Sequence, residues 1–564
     1  MSVSTIATWT VVFATLAITA KPLGEYMSRV FSGSPTILDR LFTPFENALL
    51  MWAGVDGSVN MSAVQYGTAF VVVNLVWMLI SYAALRLQAI LPFNPEHFSG
   101  VNPYLAFNTA ASFTTNTNWQ AYSGENTMSY FSQFANLGFL QFVAPASGAA
   151  VGIAFVRGLA GRPLGNFWSD LVKVCTRLLL PLAVIVALIL VASGVPETLA
   201  AYLRVHTLAG GTQIVPRGPI ATWEAIAHLG QNGGGFTGAN SANPLENPTP
   251  VTNIVLTIAM GLLPVAFFPF MGSMTGRPRV SWTLFFVASV FALGMLAMIY
   301  FPEHLGNPRL NALGLDGTAN MVGKEVRFGI GGTSIFETAT MSFTTGSVVS
   351  AHDSYLPLPQ IAFFLGMFLN LVFGGAGVGL LNMLMLVLLT VFLVGLMVGR
   401  TPEFMGKKIE AREVSLAALA FLIHPFLILV GTAIAVATPP GQAGAFNPAP
   451  QGLTEILYAF TSAAANNGSA LGGLASSLPF YEIALGIVMI LGRYASVMAM
   501  LLVVASLLAK KPVPETAGTM PTHGLLFGGI LFGAILILNA LTFLPIIAMG
   551  PLVQHFLLAS VQAR

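Results

Sequence analysis

Charged residues are scarce in this chain of 564 residues: only 8% are Asp, Glu, Lys or Arg, and 55% are hydrophobic. Soluble globular proteins carry roughly 25% charged residues, so a water-facing surface cannot cover this molecule. The net charge is +2, which argues against a nucleic-acid partner that needs a basic face. The single cysteine, Cys175, excludes an intramolecular disulfide, and no CxxC pair or His cluster indicates structural zinc.

Motifs for ATP hydrolysis are also lacking. The sequence contains no GxxxxGK[ST] phosphate loop and no Asp-Lys-Thr-Gly-Thr phosphorylation segment. We therefore predict that the chain is not an enzyme by itself.

The first apolar stretch, residues 3–20, lies before its positive charges. Residues 1–10 contain no Lys or Arg, whereas Lys21 and Arg29 follow the stretch. A cleaved secretory signal has the reverse order. We interpret the stretch as a retained membrane span with its N-terminus outside; a cleaved signal is the alternative.

Ten apolar stretches are long enough to cross a bilayer core of about 30 Å, which takes about 20 helical residues. They are residues 4–20, 67–87, 137–156, 178–195, 251–271, 282–300, 361–398, 416–437, 483–508 and 525–549. With both termini outside, fifteen of the 23 basic residues fall inside and seven outside, as the positive-inside rule expects. The remaining one is Arg493, within a span.

Four loops on the predicted outer side share one pattern, in which a half-apolar stretch precedes a run of Thr, Asn, Gly and Ser. Taking Thr117, Gly233, Gly346 and Gly468 as markers, the runs recur at intervals of 116, 113 and 122 residues. This predicts an all-α membrane protein with four repeated helix–pore loop–helix units around one pore, plus one extra helix at each end. The predicted segments are 1–63, 64–160 (repeat 1), 161–276 (repeat 2), 277–402 (repeat 3), 403–511 (repeat 4) and 512–564.

The chemistry of the four runs favours a filter for a dehydrated monovalent cation. Irregular backbone at membrane depth persists only where it is buried or lines a cavity, and potassium filters use such backbone to offer carbonyl oxygens. Gly and Asn tolerate the positive φ that this requires. The runs contain no carboxylate, which calcium or magnesium sites are expected to use.

The stretches before the runs, 106–113, 223–230, 335–343 and 453–463, resemble pore helices with their negative dipole ends towards the cation. Each run by itself is equally compatible with an ordinary turn. Their near-constant spacing and common position favour the filter.

Two features below the runs suggest a barrier. Arg493 is either an electrostatic obstacle to straight leakage, or it snorkels or pairs with a carboxylate, since a charge at the bilayer centre costs at least about 2.5 kcal/mol. The stretch 361–398 is interrupted by glycines, which indicates a broken helix lining the pore or a small-residue helix contact. The glycines are Gly374, Gly375, Gly377 and Gly379.

Several polar residues near the runs have two open interpretations. Glu224, Glu337, Glu246 and Asp353 either enrich cations at the mouth or hydrogen-bond the loop backbone. His228 and His424 are interpreted as packed polar residues without an assigned role.

The chain resembles the KdpA family along nearly its full length. The matching stretches are KPLG from residue 21, NTAASFTTNTNWQ from 108, QNGGG from 231 with ANSANP from 239, RTPE from 400 with GKK from 406, and YAFTS from 458 with NNGS from 466. KdpA is the potassium-binding subunit of the bacterial Kdp ATP-driven potassium pump.

The resemblance implies that the substrate is K+, with no covalent cofactor, and that the chain sits in the bacterial inner membrane. Potassium would pass from the filter through an intramembrane tunnel to the P-type ATPase subunit KdpB, with KdpC, KdpF and membrane lipids as further partners. It places the filter on Asn116, Thr117, Asn118, Gln120, Asn232, Gly233, Gly234, Thr345, Gly346, Asn466, Asn467 and Gly468. The first run departs from the others because it has no glycine, and some relatives carry Cys at the position of Thr345.

Two other classes of function compete with a pump subunit. A passive Trk- or Ktr-like potassium channel or transporter would use the same fourfold fold without an ATPase. A membrane scaffold would leave the four runs unexplained.

Overall fold

The computed structural model describes residues 2–315, 319–514 and 518–562. Within these residues, ten helices are long and apolar enough to cross a membrane, which confirms the predicted number. In chain order these ten spans are Val3–Ser32, Ala63–Leu87, Phe131–Leu159, Phe167–Ala192, Pro250–Thr275, Pro278–Ala312 (interrupted at Gly306), Val378–Met397, Ala411–Ala437, Pro479–Ala509 and Gly524–Met549.

Short elements connect the spans. The pore helices are Pro103–Thr114, Ile220–Leu229, Gly329–Ser342 and Gln451–Ala465. The other helices are Asp39–Trp52, Gly124–Thr127, Pro357–Leu369, Pro439–Gln442 and Pro551–Gln562, with 3₁₀ turns at Asn240–Ala242 and His352–Ser354. Two antiparallel hairpins pair Leu203–His206 with Thr212–Val215 and Glu403–Phe404 with Lys407–Lys408.

The four predicted repeats are present as span, pore helix, loop and span. In the third repeat the predicted stretch 361–398 is two helices, Pro357–Leu369 and Val378–Met397, separated by residues 370–377. The spans Val3–Ser32 and Gly524–Met549 are the additional helices at the two ends. The boundaries of the six predicted segments stay a prediction.

Helix ends follow local side-chain chemistry. The second span begins with a capping box in which Ser62 and Gln65 exchange hydrogen bonds. The fifth span begins with Thr249 as its cap and Pro250 in the first turn, and it ends at Gly276 with φ of 70°. Such signals are local, so the sequence alone indicates them.

The first span packs closely against the fifth span through Gly24. A Cβ on Gly24 would lie 2.7 Å from the backbone nitrogen of Phe270 and 2.8 Å from the carbonyl oxygen of Ala266. Any larger side chain would therefore separate the two backbones. This contact gives a physical reason for the glycine in the motif that begins at Lys21.

A buried ion pair joins the third and fourth spans. Arg157 donates from Nη1 and Nη2 to the two carboxylate oxygens of Asp170 at 2.7 and 2.6 Å, and Tyr66 donates to the same carboxylate at 2.9 Å. Both charged side chains are nearly inaccessible. The pair satisfies charges that would otherwise be buried without a partner.

We expect Asp170→Asn to lower the free energy of unfolding by about 3–5 kcal/mol, because Arg157 would keep a buried charge without its counter-ion. Thermal unfolding of the purified chain in detergent measures the change. Glu325→Gln is the control, since it removes the half-exposed partner of Arg327, a kind of pair worth about 0–1 kcal/mol. Equal shifts in the two variants would contradict the prediction.

Candidate cation filter

The four pore helices end in the same hydrogen bond. In each following loop, a backbone N–H donates to the carbonyl five residues earlier at 2.8–2.9 Å. The donors and acceptors are Thr117 to Ser112, Asn232 to Ala227, Thr345 to Thr340 and Asn467 to Ser462. These four donors occupy equivalent positions, and we call them the middle residues of the filter loops.

The two residues that flank each middle residue have left-handed backbone, with φ between 50° and 104°. The alternation lets successive carbonyls face one side of the loop, as a cation filter requires. The left-handed pairs are Asn116 and Asn118, Gln231 and Gly233, Thr344 and Gly346, and Asn466 and Gly468.

This backbone pattern corrects the sequence comparison of the loops. The equivalent of Gly233 in the first loop is Asn118 and not Thr117, so the marker there is wrong by one residue. Gln231 and Thr344 were missed as site residues. The residue types Gln and Thr do not indicate positive φ. Only the equivalence of Gln231 and Thr344 to Asn116 and Asn466 could have revealed their left-handed backbone.

Neighbouring loops meet at the left-handed glycines. A Cβ added to Gly233 would lie 1.9 Å from the carbonyl oxygen of Thr345, and one on Gly346 would lie 1.9 Å from that of Asn467. A Cβ on Gly468 would lie 2.0 Å from the carbonyl oxygen of Thr117. Only glycine fits such close approaches.

The first and second loops complete the ring through side chains. Asn116 donates from Nδ2 to the carbonyls of Gly230 and Gln231 at 3.0 and 3.1 Å. Gln120 exchanges two hydrogen bonds of 2.9 Å with the backbone of Gly235. The four loops therefore surround one axis in chain order, and Gln120 connects two of them.

The carbonyl oxygens of the middle residues are available to coordinate a cation. Among the described residues, no protein donor bonds the carbonyl oxygens of Thr117, Asn232, Thr345 or Asn467. A buried carbonyl without a partner is costly, and a dehydrated cation would satisfy all four. Gly234 lies beside this ring, where its carbonyl accepts from Trp223 Nε1 at 2.6 Å.

Residues 370–377 form a re-entrant loop that is bound to the C-terminal ends of two pore helices and to the second filter loop. The N–H of Gly374 donates to the carbonyl of Ser342 at 2.9 Å, and Asn370 Nδ2 donates to that of Ala465 at 3.1 Å. The N–H of Ala376 donates to Gln231 Oε1 at 3.1 Å. The predicted helix break is confirmed, and its role as a gate stays a prediction.

Within this loop, Gly374 and Gly377 have left-handed backbone, with φ of 62° and 82°. A Cβ on Gly374 would lie 2.5 Å from the Cα of Gly379, whereas one on Gly375 would meet no atom within 4 Å. Of the four predicted glycines, Gly374 and Gly377 are therefore required for backbone shape, and Gly379 for space, since its Cβ would lie 1.9 Å from the carbonyl oxygen of Phe373. Glycine is not required at Gly375.

Arg493 lies on the ninth span and reaches the third span next to the re-entrant loop. Its Nη2 donates to the carbonyl of Ala144 at 3.3 Å and contacts Gly148. Gly377 packs on the same stretch, against Gly148 and Gly152. No carboxylate of the described residues lies within 4 Å of the guanidinium, so the alternative of a carboxylate partner does not apply. Its role as a barrier stays a prediction.

Three acidic residues near the filter hydrogen-bond the segments that follow the second and third filter loops, or a side chain on them. Glu246 accepts two backbone N–H groups of the second loop region at 2.8 and 3.2 Å, and burial raises its pKa. Glu224 accepts from a serine hydroxyl at 3.1 Å, and Glu337 accepts a backbone N–H at 3.1 Å. Burial also raises the pKa of Asp353.

Ten candidate spans and four pore loops closed into a ring define a polytopic membrane protein of the pore-loop class. The chain belongs to the KdpA family: the model of that family, described as the potassium-transporting ATPase A subunit, matches residues 10–556. The resemblance found in the sequence is thereby confirmed.

Curated relatives match along almost the whole chain. The chain is 50% identical to the potassium-transporting ATPase potassium-binding subunit of Alicyclobacillus acidocaldarius, covering 98% of this chain and 99% of the relative. It is 44% identical to the subunits of the same name from Mesorhizobium japonicum and Yersinia pseudotuberculosis, each covering 96% of both chains.

Among solved structures, the potassium transporter TrkH from Vibrio parahaemolyticus has the same fold. The TM-score is 0.50 with 14% identity, and the match covers 86% of this chain and 97% of TrkH. At this identity the likeness supports the fold alone.

Proposed function

We propose that the chain binds K+ in the ring of filter loops as the non-hydrolytic, potassium-binding subunit of an ATP-driven potassium pump. The observation that carries this proposal is the set of four unbonded middle carbonyls, contributed by equivalent positions of four loops. Carbonyl oxygens replace the hydration shell of K+ at little cost. The names of the relatives agree with this substrate.

The ion would leave the filter sideways and pass through a tunnel into a separate P-type ATPase subunit. Two obstacles to a straight path support this route: the re-entrant loop, which is bound to two pore helices and the second filter loop, and the charge of Arg493 beside it. KdpB would hydrolyse ATP, and KdpC and KdpF would complete the complex. The relatives are named as subunits of a potassium-transporting ATPase, which supports such an assembly.

The charge distribution supports an orientation with both termini outside. Most basic residues outside the spans then face the cytoplasm, as the positive-inside rule expects. The filter would open to the outside of the inner membrane of a bacterium.

Purification of the tagged chain from its native membrane tests the proposal. We expect a P-type ATPase to co-purify, and ATP hydrolysis by that complex to depend on K+. The Gly346→Ala variant should co-purify the same partner without this dependence. Hydrolysis that is insensitive to K+ would contradict the proposal.

A passive potassium transporter is the second candidate, favoured by the fold shared with TrkH. Reconstitution of the chain alone into liposomes separates the two functions. We expect no sustained K+ current from the chain without its ATPase partner. A sustained, K+-selective current would favour the passive transporter.

A further inference from the structure

A chain of hydrogen bonds runs from the third pore helix to the fourth filter loop. Glu337 Oε2 lies 2.7 Å from His352 Nε2, and His352 Nδ1 lies 2.9 Å from the hydroxyl of Tyr458. That hydroxyl lies 2.8 Å from Ser469 Oγ, which lies 2.5 Å from Asn467 Oδ1. All five side chains are buried. The chain therefore connects a buried carboxyl group to a middle residue of the filter.

The direction of each bond follows from counting protons, starting at the filter. Asn467 uses Nδ2 to donate to the carbonyl of Thr340 at 3.2 Å, so its Oδ1 faces Ser469. Ser469 has one hydroxyl proton and donates it to Asn467, so it accepts from Tyr458. Tyr458 likewise has one proton, which it donates to Ser469. The Tyr458 oxygen must then accept a hydrogen bond from an N–H at His352 Nδ1.

The same count applies to the other end of the chain. His352 carries a proton on Nδ1, so its bond to Glu337 needs a second proton, on Nε2 or on the carboxyl group. Glu337 Oε1 accepts from the N–H of Val349 at 3.1 Å and from the hydroxyl of Ser350 at 2.6 Å. These bonds leave Oε2 as the only oxygen that faces the imidazole. Together, Glu337 and His352 hold one proton more than a carboxylate and a neutral imidazole.

We propose that this shared proton orients the chain from His352 through Tyr458 and Ser469, and thereby positions Asn467 for K+ binding. Glu337, His352 and Tyr458 are positioning residues, because none of them belongs to a filter loop. The proposal adds a determinant of ion affinity outside the four loops.

The charged neighbours of the pair add no strong field of one sign. Lys324 Nζ lies 2.8 Å from Glu303 Oε2, so these two charges compensate each other. Phe363 stacks on the imidazole of His352 with ring centroids 4.5 Å apart. The other titratable groups on elements packed around the pair are Asp353, Tyr355 and Glu455.

The inference rests on the proposed K+ binding in the filter, and titration calorimetry of the purified complex with K+ tests both. We expect Tyr458→Phe to raise the Kd for K+ by about tenfold, since it removes one buried hydrogen bond and leaves its partners unpaired. Tyr355→Phe is the matched control. It also removes a phenol hydroxyl next to His352, but that hydroxyl bonds Ser350 and lies outside the chain. Ser469→Ala, which removes the next bond of the chain, should match Tyr458→Phe.

A double-mutant cycle gives the readout that a merely structural role would not change. His352→Gln and Ser469→Ala remove groups that bond Tyr458 from opposite sides, so we expect each to raise the Kd and their effects not to add. If wild-type protein binds no K+, the proposed function fails. If wild-type protein binds K+ but Tyr458→Phe binds equally well, or if Tyr355→Phe weakens binding as much, the inference is overturned. Additive effects of His352→Gln and Ser469→Ala on the Kd also overturn it.

Discussion

Replacing Gly346 by alanine is expected to abolish high-affinity K+ binding. The residue has φ of 85°, where an alanine is strained, and its Cβ would lie 1.9 Å from the carbonyl oxygen of Asn467. That oxygen belongs to a middle residue and cannot move without opening the ring. We expect a Kd for K+ raised at least about 100-fold, equivalent to about 3 kcal/mol.

Calorimetric titration with K+ measures this loss, with thermal unfolding as the check that the variant is folded. Gly294→Ala is the matched control: Gly294 lies within the sixth span, and its added Cβ would meet no atom within 4 Å. Gly468→Ala should reproduce the loss, because its Cβ would lie 2.0 Å from the carbonyl oxygen of Thr117. A folded Gly346→Ala protein with wild-type affinity would show that the loop carbonyls do not form the site.

Replacing Arg493 by methionine is expected to produce a K+ leak through the assembled protein in the absence of ATP. The guanidinium is buried beside the re-entrant loop and bonds only the carbonyl of Ala144 among the described residues. A full charge within a few ångströms of a cation path opposes the ion by several kcal/mol at an effective dielectric constant of about 20. We expect passive K+ flux to rise by about tenfold or more.

Flux of K+ from loaded liposomes measures the leak. Arg493→Lys is the control, because it keeps the charge and removes only the planar donor group. We expect flux from this variant to stay near that of the wild-type protein. Equal flux from Arg493→Met and wild-type protein would assign the barrier to residues 370–377 alone.

Local patterns predicted most of the fold. The spans follow from runs of apolar residues, and the pore helices follow from shorter apolar stretches that end at a polar run. The break in the stretch 361–398 was predicted from Gly374, Gly375, Gly377 and Gly379, since residues with positive φ are uncommon outside glycine. In these cases the residues that determine a structural feature lie within a few positions of that feature in the sequence.

The candidate site was predicted less completely. Residue type indicated glycines such as Gly233 and Gly346, but it gave no sign that Gln231 and Thr344 share their backbone conformation. The predicted alignment of the first loop with the other three was wrong by one residue, because Asn118 takes the place of a glycine. A conformation imposed by neighbouring loops overrides the preference of the residue itself.

The sequence by itself determined the class of protein, the number of spans and the fourfold repeat, and it predicted a cation site built from uncharged oxygens. Hydropathy, glycine and asparagine content and the absence of carboxylates from the runs carry that information locally. Only the tertiary structure decided how the loops close: Gly468 lies against Thr117, Arg493 against Ala144, and Glu337 reaches Asn467 through His352. These contacts join residues far apart in the chain, and they depend on how the spans pack, which no local pattern encodes.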